Sequence, residues 1–271
     1  MKLNHVVIVY KKPSHIRVAT ARQKSHLSTI GGVQKILKET GLGYRIILRD
    51  RMEARPPARP LKTDLIITVG GDGTVLSASH YAGNIPILGV NSMPKTSIGF
   101  FCAANLKNFK KRLSGIMGNR LKPKSLPLLQ VTIDGKRLPF RALNDILFAS
   151  ASPAETVQYT IQAGAKKERQ RGSGVWIAAG PGSTAGICSA GGKVSSISSE
   201  KIQFLARELY PIRGVRYKLK RGFVKRGGSI KITSEMKHGA AFLDGAKLAY
   251  PMGRGSALSV RVSGRKLRIF L

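Results

Sequence analysis

The spacing of apolar residues changes near residue 120, and this change limits the folds open to the chain. Before it, short apolar segments alternate with segments of helical periodicity, which predicts an open α/β domain with a largely parallel sheet. After Lys122-Pro123 the segments are short, strand-like and separated by Gly-rich turns, which is typical of a β-rich, sandwich-like domain. We therefore expect an α/β domain over residues 1–122 and a β-rich domain over 123–271. The apolar ending LRIFL (267–271) predicts that the last residues pack back on the first domain.

The local pattern gives the predicted elements of the first half. Apolar runs predict strands at 6–10, 44–48, 65–69 and 85–90. Helical periodicity predicts helices at 30–40, from about residue 74, and at 106–117. Three prolines predict a loop over 51–63.

The composition excludes several classes of protein. Of 271 residues, 42% are hydrophobic and the mean hydropathy is −0.08, which excludes a disordered basic tail. No apolar run approaches the roughly 18 residues that a membrane-spanning helix needs, and the start MKLNHVVIVYKK predicts a first strand, not a secretion signal. Two cysteines form no disulfide framework. We expect a cytoplasmic protein without a transmembrane segment.

The charge balance is the most unusual feature of the composition. Lys and Arg number 47 and Asp and Glu 13, so the formal net charge is +34. Such a surface indicates a polyanionic partner, which is nucleic acid, an anionic membrane surface or a phosphate-rich ligand; the alternative is a merely solvated face. VRYKLK (215–220) alternates apolar and basic residues and predicts a strand with one basic face. The candidate nucleic-acid-binding residues are Lys110, Lys111, Arg112, Arg216, Lys218, Lys220, Arg221, Lys225 and Arg226.

A Gly-rich loop follows the predicted strand LIITV (65–69). Gly70, Gly71, Gly73 and Thr74 surround Asp72, and a helix follows. Glycines let backbone N–H groups close around a phosphate, and a helix N-terminus adds positive potential. Asp72 can then hold Mg²⁺ or accept a hydroxyl proton in phosphoryl transfer. The alternative is a structural turn in which Asp72 caps the helix.

Two further segments combine polar residues with an apolar or Gly-rich context. Asn144 and Asp145 form a polar pair in the apolar segment ALNDILF (142–148), where either a ligand or a turn must satisfy them. Ser183 and Thr184 lie in the Gly-rich segment GPGSTAG (180–186), which fits either a phosphate or ribose contact or a plain turn. The five histidines show neither a triad nor metal-ligand spacing, so no metal site built by the protein alone is predicted. GPGSTAG does not match the nucleophile elbow of hydrolases, so a hydrolase is not predicted.

Taken in order, VGGDGT, PILGVN, ALND, SGVWIAAGPGSTA, SAGG and AAFLDG make the chain resemble the NAD kinase family over most of its length. The resemblance implies a nucleotide-binding α/β domain, a β-rich domain and a homo-oligomer. It implies ATP-dependent phosphorylation of the 2′-hydroxyl of NAD⁺ or NADH, with Mg²⁺. It assigns Asp72 as the catalytic carboxylate. It assigns nucleotide or phosphate binding to Gly70, Gly71, Gly73, Thr74, Asn91, Asn144, Asp145, Ser183, Thr184 and Ala185.

The chain also departs from the family pattern. Ser173 stands where the family usually has a second Asp, Gly186 replaces a Tyr after Ser-Thr-Ala, and a Pro-His motif is absent from 210–224. None of these departures removes Asp72, Asn144 or Asp145. Together with the net charge they leave an alternative hypothesis, in which the fold serves a non-specific, nucleoid-associated binding protein for double-stranded DNA with weak or no kinase activity.

Overall fold

The computed structural model describes residues 2–12, 20–52 and 61–271 and divides them into two compact units. Unit 1 comprises residues up to 125 together with 267–271, and unit 2 comprises residues 126–266. Most of the loop predicted at 51–63 lies outside the described residues. No helix in the described part of the chain combines the length and the apolar character that crossing a membrane requires.

Unit 1 is built on a parallel sheet. Its strands are β1 (His5–Tyr10), β2 (Gly43–Leu48), β3 (Leu65–Gly70), β4 (Ile87–Asn91) and β5 (Ala104–Asn105). Its helices are α1 (Ala21–Glu39), α2 (Arg49–Met52), α3 (Asp72–Ala82) and α4 (Phe109–Met117). The strand order is β2-β1-β3-β4, with Val6 beside Leu65 and Ile66 beside Ile87. β1, β3 and β4 are apolar almost throughout because parallel strands are covered on both faces.

Helix α1 begins about nine residues before the predicted start at residue 30. Its N-terminus is fixed by a capping box, in which the Thr20 hydroxyl accepts from the Gln23 N–H and the Gln23 side chain accepts from the Thr20 N–H. The first turns of α1 are polar, so they carry little hydrophobic periodicity. Ile30, Val33 and Leu37 form the buried face that the periodicity does detect.

Unit 2 contains antiparallel strands in two sheets. They are β6 (Lys124–Ile133), β7 (Lys136–Ala142), β8 (Asp145–Ser150), β9 (Val157–Ala163), β10 (Lys166–Gly172), β11 (Gly174–Ala178), β12 (Ile202–Arg207), β13 (Arg221–Val224), β14 (Ser229–Ser234), β15 (Gly239–Leu243), β16 (Leu248–Met252) and β17 (Ala257–Phe270). A 3₁₀ turn (Pro181–Thr184) and a short helix α5 (Gly186–Ser189) follow β11.

The strand orders are β10-β9-β14-β17-β6-β7 in one sheet and β13-β12-β11-β8-β15-β16 in the other. Apolar residues of both sheets form one core, in which Phe148 and Tyr159 pack edge to face with ring centroids 5.7 Å apart. The α/β unit and the two-sheet unit confirm the predicted fold class.

The last strand contributes to both units. Within unit 2, β17 pairs with β14, for example Val260 beside Ile230. Its final residues Ile269 and Phe270 pair in parallel with Ile87 and Leu88 in unit 1, where Phe270 is buried in the core. Val90 and Asn91, the last two residues of β4, pair with Ala104 and Asn105 of β5.

The strand predicted at 215–220 is wrong. Tyr217 and Leu219 are buried and the basic residues between them are exposed, so the alternation itself is present. The backbone, however, does not join a strand ladder. The N–H groups of Lys218 and Leu219 donate to the Glu168 carboxylate, at 2.6 Å and 3.2 Å, and the Gln170 side chain donates to the Leu219 carbonyl. Side-chain groups thus take the hydrogen bonds that a neighbouring strand would provide.

Candidate active site

The Gly-rich loop of unit 1 connects β3 to α3 and puts Asp72 in the first turn of that helix. Gly71 is the N-cap residue, and the Thr74 N–H donates to the Gly71 carbonyl at 3.0 Å. A Cβ at Gly70 would overlap the Thr74 hydroxyl, so the tight turn needs glycine there. The loop therefore presents the positive end of an eleven-residue helix at the carboxyl end of a central strand.

The Asp72 carboxylate is held by two consecutive backbone N–H groups. Oδ2 accepts from the Phe100 N–H at 2.9 Å and Oδ1 from the Phe101 N–H at 2.8 Å. These two bonds fix the plane of the carboxylate, and each oxygen keeps a further acceptor position. Burial and, after it, the Asp72 charge raise the pKa of the neighbouring Cys102 thiol to about 12, so this cysteine is an inert thiol.

Asn91 lies at the end of β4 and shapes the turn after it. Its Oδ1 accepts from the Met93 N–H at 2.9 Å, and its Nδ2 donates to the Ser97 carbonyl at 3.1 Å. Gly99 has φ +60°, and a Cβ there would overlap the Asn91 amide. The amide is thus largely used in holding residues 93–99, and its predicted part in phosphate binding stays a prediction.

A cleft of about 730 Å³ opens in front of this loop, and we call it the basic cleft. Asp72 is the one carboxylate among its described lining residues. Its cationic lining residues are Lys11, Lys12, Arg22 and Arg49. The sequence analysis missed these four because they are separated along the chain and only the fold brings them together. A cationic cleft at a helix N-terminus is suited to binding phosphates.

The basic cleft offers few donor groups for a magnesium ion. Mg²⁺ is usually held by one or two carboxylates together with substrate phosphates and water. The described residues contain no cluster of three or more His, Cys, Asp or Glu that would bind a metal alone. Asp72 supplies one carboxylate, so the residues fit a cation that arrives with the phosphates of a nucleotide.

In unit 2, Asn144 and Asp145 lie where the chain passes from β7 to β8. The Asp244 carboxylate accepts from the N–H groups of Leu143 at 2.9 Å, Asn144 at 2.7 Å and Asp145 at 3.3 Å. Asp244 has φ +52° and lies in the Asp-Gly turn after β15. The motif AAFLDG contains this turn, but Asp244 itself was not predicted, because only the pairing of β15 with β8 brings it to Asn144.

The Asn144-Asp145 pair carries two unusual polar groups. Asn144 Oδ1 is buried and has no hydrogen-bond partner, so this acceptor can take a hydrogen bond from a bound ligand. Burial and, after it, the Asp244 charge together raise the pKa of Asp145 to about 7, against the opposing effect of a hydrogen bond from the Gly186 backbone. Two carboxylates close together are therefore a property of this site, as in many functional sites.

The loop over residues 180–186 packs directly on this pair. A Cβ at Gly182 would overlap the Asn144 carbonyl, so only glycine permits the approach. The buried Ser183 hydroxyl donates to the Gly180 carbonyl at 2.8 Å and accepts from the Ser195 N–H at 3.0 Å. Thr184 is exposed and Ala185 is partly exposed. Ser183 thus fixes the shape of the loop, while Thr184 and Ala185 face outward; nucleotide binding by all three stays a prediction.

A second cleft, of about 490 Å³, lies beside Asp145 and is lined by Trp176, Ser173, Glu155 and Glu208 among others. A Cβ at Gly186 would lie 2.9 Å from the Trp176 ring, so Trp176 occupies the space next to the position where the family has Tyr. The Arg207 guanidinium stands 5.9 Å from the centre of the Trp176 ring. An aromatic surface and acidic side chains are therefore present here, supplied by other residues than in the family pattern.

The candidate nucleic-acid-binding residues are spread over both units. Lys110 forms an ion pair with Glu39 at 3.5 Å, and Arg226 forms one with Glu200 at 2.7 Å. The exposed members on the segment 216–221 are Arg216, Lys218, Lys220 and Arg221. Lys111 and Arg112 lie on α4, and Lys225 follows β13.

Comparison with known proteins finds NAD kinases that resemble this chain in sequence and in fold. A sequence profile of the ATP-NAD kinase N-terminal domain matches residues 6–121. The chain is 30% identical to the "Probable NADH kinase" of Oryza sativa subsp. japonica over 282 residues, covering 96% of this chain and 85% of the relative. The fold matches the NAD kinase from Archaeoglobus fulgidus in complex with ATP, with TM-score 0.74, 20% identity and 98% and 93% of the two chains covered. It also matches yeast NADH kinase complexed with NADH, with TM-score 0.77, 18% identity and 99% and 83% covered.

The similarity to the rice relative extends over nearly the whole chain, and the profile match includes β3, the Gly-rich loop and Asp72. The chain therefore belongs to the NAD kinase family.

Proposed function

We propose that this protein is an ATP-dependent kinase that transfers the γ-phosphoryl group of ATP to the 2′-hydroxyl of NAD⁺ or NADH. The observation that carries the proposal is Asp72, a carboxylate oriented by two backbone N–H groups inside a cleft that Lys and Arg side chains line and whose one carboxylate, among the described lining residues, is Asp72 itself. The names of the relatives support it, since they are NADH and NAD kinases.

In this proposal Asp72 accepts the proton of the 2′-hydroxyl. The hydroxyl oxygen bonds to the γ-phosphorus, the bond to the β,γ-bridging oxygen breaks, and ADP leaves with that electron pair. Positioning one acid–base group in this way typically contributes about 10²–10⁴-fold to the rate. The loop from Gly70 to Thr74 and the cations Lys11, Lys12, Arg22 and Arg49 hold phosphates and offset their charge. Mg²⁺, when bound with the phosphates through Asp72, would neutralise charge on them.

Binding of the ribose and of the aromatic rings of NAD(H) is assigned to unit 2. The unpartnered Asn144 Oδ1 and the Asp145 carboxyl accept hydrogen bonds from ribose hydroxyls, and Thr184 and Ala185 contact the nucleotide from the loop packed on Asn144. Trp176 offers the aromatic face on which a base or nicotinamide ring stacks. Asn91 and Ser183 act by shaping loops, because their side chains are engaged internally.

The test is the rate of NADP⁺ and NADPH formation from ATP with each of the two nucleotides, measured on the purified full chain. Catalysis of either reaction that depends on ATP and is lost in Asp72→Asn supports the proposal. A folded wild-type protein that binds neither ATP nor NAD(H) and makes neither product would overturn it.

The net charge favours a second candidate function, the binding of double-stranded DNA. The exposed Arg216, Lys218 and Lys220 are the residues that this function would use first, and association with the nucleoid within the cytoplasm would follow from it. DNA binding and kinase activity are compatible, because the basic side chains on the segment 216–220 are distinct from the residues assigned to the reaction.

We also propose a homo-oligomer. Three large apolar side chains that are exposed within one short segment, Tyr210, Ile212 and Val215, support it, since exposed apolar surface commonly marks an interface. Light scattering coupled to size-exclusion chromatography measures the mass directly, and a monomer at assay concentration would contradict this part.

A further inference from the structure

Unit 2 contains a cationic cleft, about 530 Å³ in volume, that shares no lining residue with the cleft beside Asp145 and Trp176. We call it the arginine cleft. β7 supplies Arg137 and Arg141, and β17 supplies Arg261 and Arg265. The other lining residues are Gln130, Gly227, Gly228, Val262, Ser263 and Gly264. No acidic residue appears among these lining residues.

The four arginines differ from nearby cations, which form ion pairs with a carboxylate. Arg226 and Lys266 each contact Glu200 at 2.7 Å. In the described part of the chain, by contrast, none of the four cleft guanidiniums forms an ion pair with a carboxylate. Folding has therefore gathered four positive charges without the interspersed acid that usually relieves such repulsion. Water solvates the exposed Arg137, Arg261 and Arg265, and an anion bound among the four arginines would offset their charge more fully.

Arg141 shows how the cluster is held. Its Nε donates to the Ser263 hydroxyl at 3.0 Å, and that hydroxyl also accepts from the Arg265 backbone N–H at 3.1 Å. One nitrogen of the guanidinium is thus fixed and the others are left for a ligand. Burial lowers the pKa of Arg141, and the charges of Arg265 and Arg137 lower it further, which reflects the mutual repulsion within the cluster.

We propose that the arginine cleft binds a short chain of phosphates, as carried by inorganic polyphosphate or by a nucleoside triphosphate. Four guanidiniums match an anion with several adjacent charges, and each can contact phosphoryl oxygens through two parallel N–H groups. The volume lies in the usual range of small-ligand sites, about 300–1,000 Å³.

The cleft favours this ligand over duplex DNA. A phosphate chain is thin and enters a concave site, whereas a duplex is convex and would touch only the rim. No aromatic residue lines the cleft, so it offers no stacking surface for unpaired bases either. Two glycines in the lining leave room for a chain to lie against the backbone, since a Cβ at Gly264 or Gly227 would meet nothing within 4 Å.

The test is hydrogen exchange of the full chain with and without tripolyphosphate, followed by mass spectrometry. This readout separates the arginine cleft from the basic cleft of unit 1, which also attracts phosphates. We expect protection of peptides that cover β7 and residues 261–265. The same measurement with ATP shows whether the cleft binds a nucleoside triphosphate as well as a bare phosphate chain. Measurements with citrate and with a short DNA duplex show whether other polyanions give the same protection.

Two variants act on the cleft in different ways. Arg141→Gln/Arg265→Gln removes two guanidiniums, and Gly264→Glu adds a carboxylate without removing any native contact. Each should weaken binding that gives the local protection by at least about tenfold. Lys166→Gln/Lys167→Gln, a pair of exposed lysines on β10, is the control with the same loss of charge as the arginine pair and should bind as wild type does.

Local protection by tripolyphosphate, by ATP or by both, lost in the two cleft variants and kept in the control, supports the proposal. Protection by the duplex alone would overturn it in favour of a nucleic-acid surface. Absence of local protection with either phosphate chain, or an equal loss in the lysine control, would also overturn it. The rate of NADP(H) formation is expected to stay unchanged in all three variants, so failure here is distinct from failure of the proposed kinase function.

Discussion

The Asp244 carboxylate accepts the backbone N–H of Asn144 at 2.7 Å, across 100 residues of sequence. The same carboxylate also takes the N–H groups of Leu143 and Asp145. One side chain therefore fixes the backbone that presents both members of the polar pair, and its charge acts on the second of them. Asp244 is a positioning residue with two separable effects.

Asp244→Asn should raise the KM for NAD(H) more than it lowers kcat, because the nucleotide-binding backbone loosens. It should reduce the free energy of unfolding by about 1–3 kcal/mol, since buried N–H groups lose a charged acceptor. Loss of the charge should also lower the pKa of Asp145 and so move the pH dependence of KM to lower pH. Kinetics over a pH series measure KM, kcat and the pH dependence of KM, and denaturant unfolding measures the loss of stability.

Asp134→Asn is the matched control for this change. Asp134 also lies in an Asp-Gly turn with positive φ (+50°), and its carboxylate accepts the Ala257 N–H at 2.7 Å. It should leave KM and its pH dependence unchanged. An Asp244→Asn enzyme with the wild-type pH profile would refute the electrostatic part of the assignment.

Asp72→Asn should lower kcat by about 10²–10⁴-fold while the protein stays folded, because the oriented proton acceptor is lost. Asp64→Asn is a close control in the same unit, as its carboxylate likewise accepts two consecutive backbone N–H groups, from Asn4 and His5. Both variants should lose some stability in thermal unfolding, but only Asp72→Asn should lose turnover. Full activity in Asp72→Asn would exclude Asp72 as the proton acceptor.

The raised pKa of Asp145 predicts a pH-dependent stability difference. The folded protein binds the Asp145 proton more tightly than the unfolded chain, with a pKa of about 7 against the ordinary aspartate value of 3.8. Its contribution to stability is therefore full below about pH 4 and is lost as the pH rises to about 7. Denaturant unfolding of wild type and Asp145→Asn should show the variant gaining relative stability over this interval. A constant difference would contradict the assignment.

Gly186→Ala should destabilise the protein by about 1–3 kcal/mol, because the added methyl group lies within 2.9 Å of the Trp176 ring. Trp176→Leu should relieve much of that cost, so the double variant should be more stable than the sum of the single changes predicts. Thermal or denaturant unfolding of the four proteins gives the coupling energy. Strict additivity would show that the Trp176 ring does not limit residue 186.

If the second candidate function holds, duplex DNA should bind without sequence preference and with a steep dependence on salt. About six phosphate contacts would reduce affinity roughly a thousandfold between 50 and 200 mM salt. Arg216→Gln/Lys218→Gln/Lys220→Gln should weaken binding and flatten the salt slope, whereas Lys24→Gln/Lys35→Gln/Lys38→Gln on α1 serves as the equal-charge control. No mobility shift at about 50 mM salt would rule the function out.

Local patterns in the sequence were enough to predict the Gly-rich loop, the parallel strands and the change to a β-rich half. Local patterns failed where contacts between residues distant in the sequence decide the structure. Residues 215–220 alternate like a strand, but Glu168 takes two of their N–H groups. Lys11, Arg22 and Arg49 belong to different elements, so no spacing rule groups them in the basic cleft. Asp244 could be connected to Asn144 only through the register of β15 beside β8.

Strand β17 has a consequence for the order of events during synthesis. Ile269 and Phe270 complete the pairing of β4, yet they are made some 180 residues after Ile87. While the ribosome is still translating unit 2, the nascent α/β unit has an unpaired sheet edge at Ile87 and Leu88 and lacks Phe270 from its core. This edge of the sheet is therefore completed only after unit 2 has been synthesised, and until then it is the place where a chaperone or a neighbouring nascent chain would add a strand.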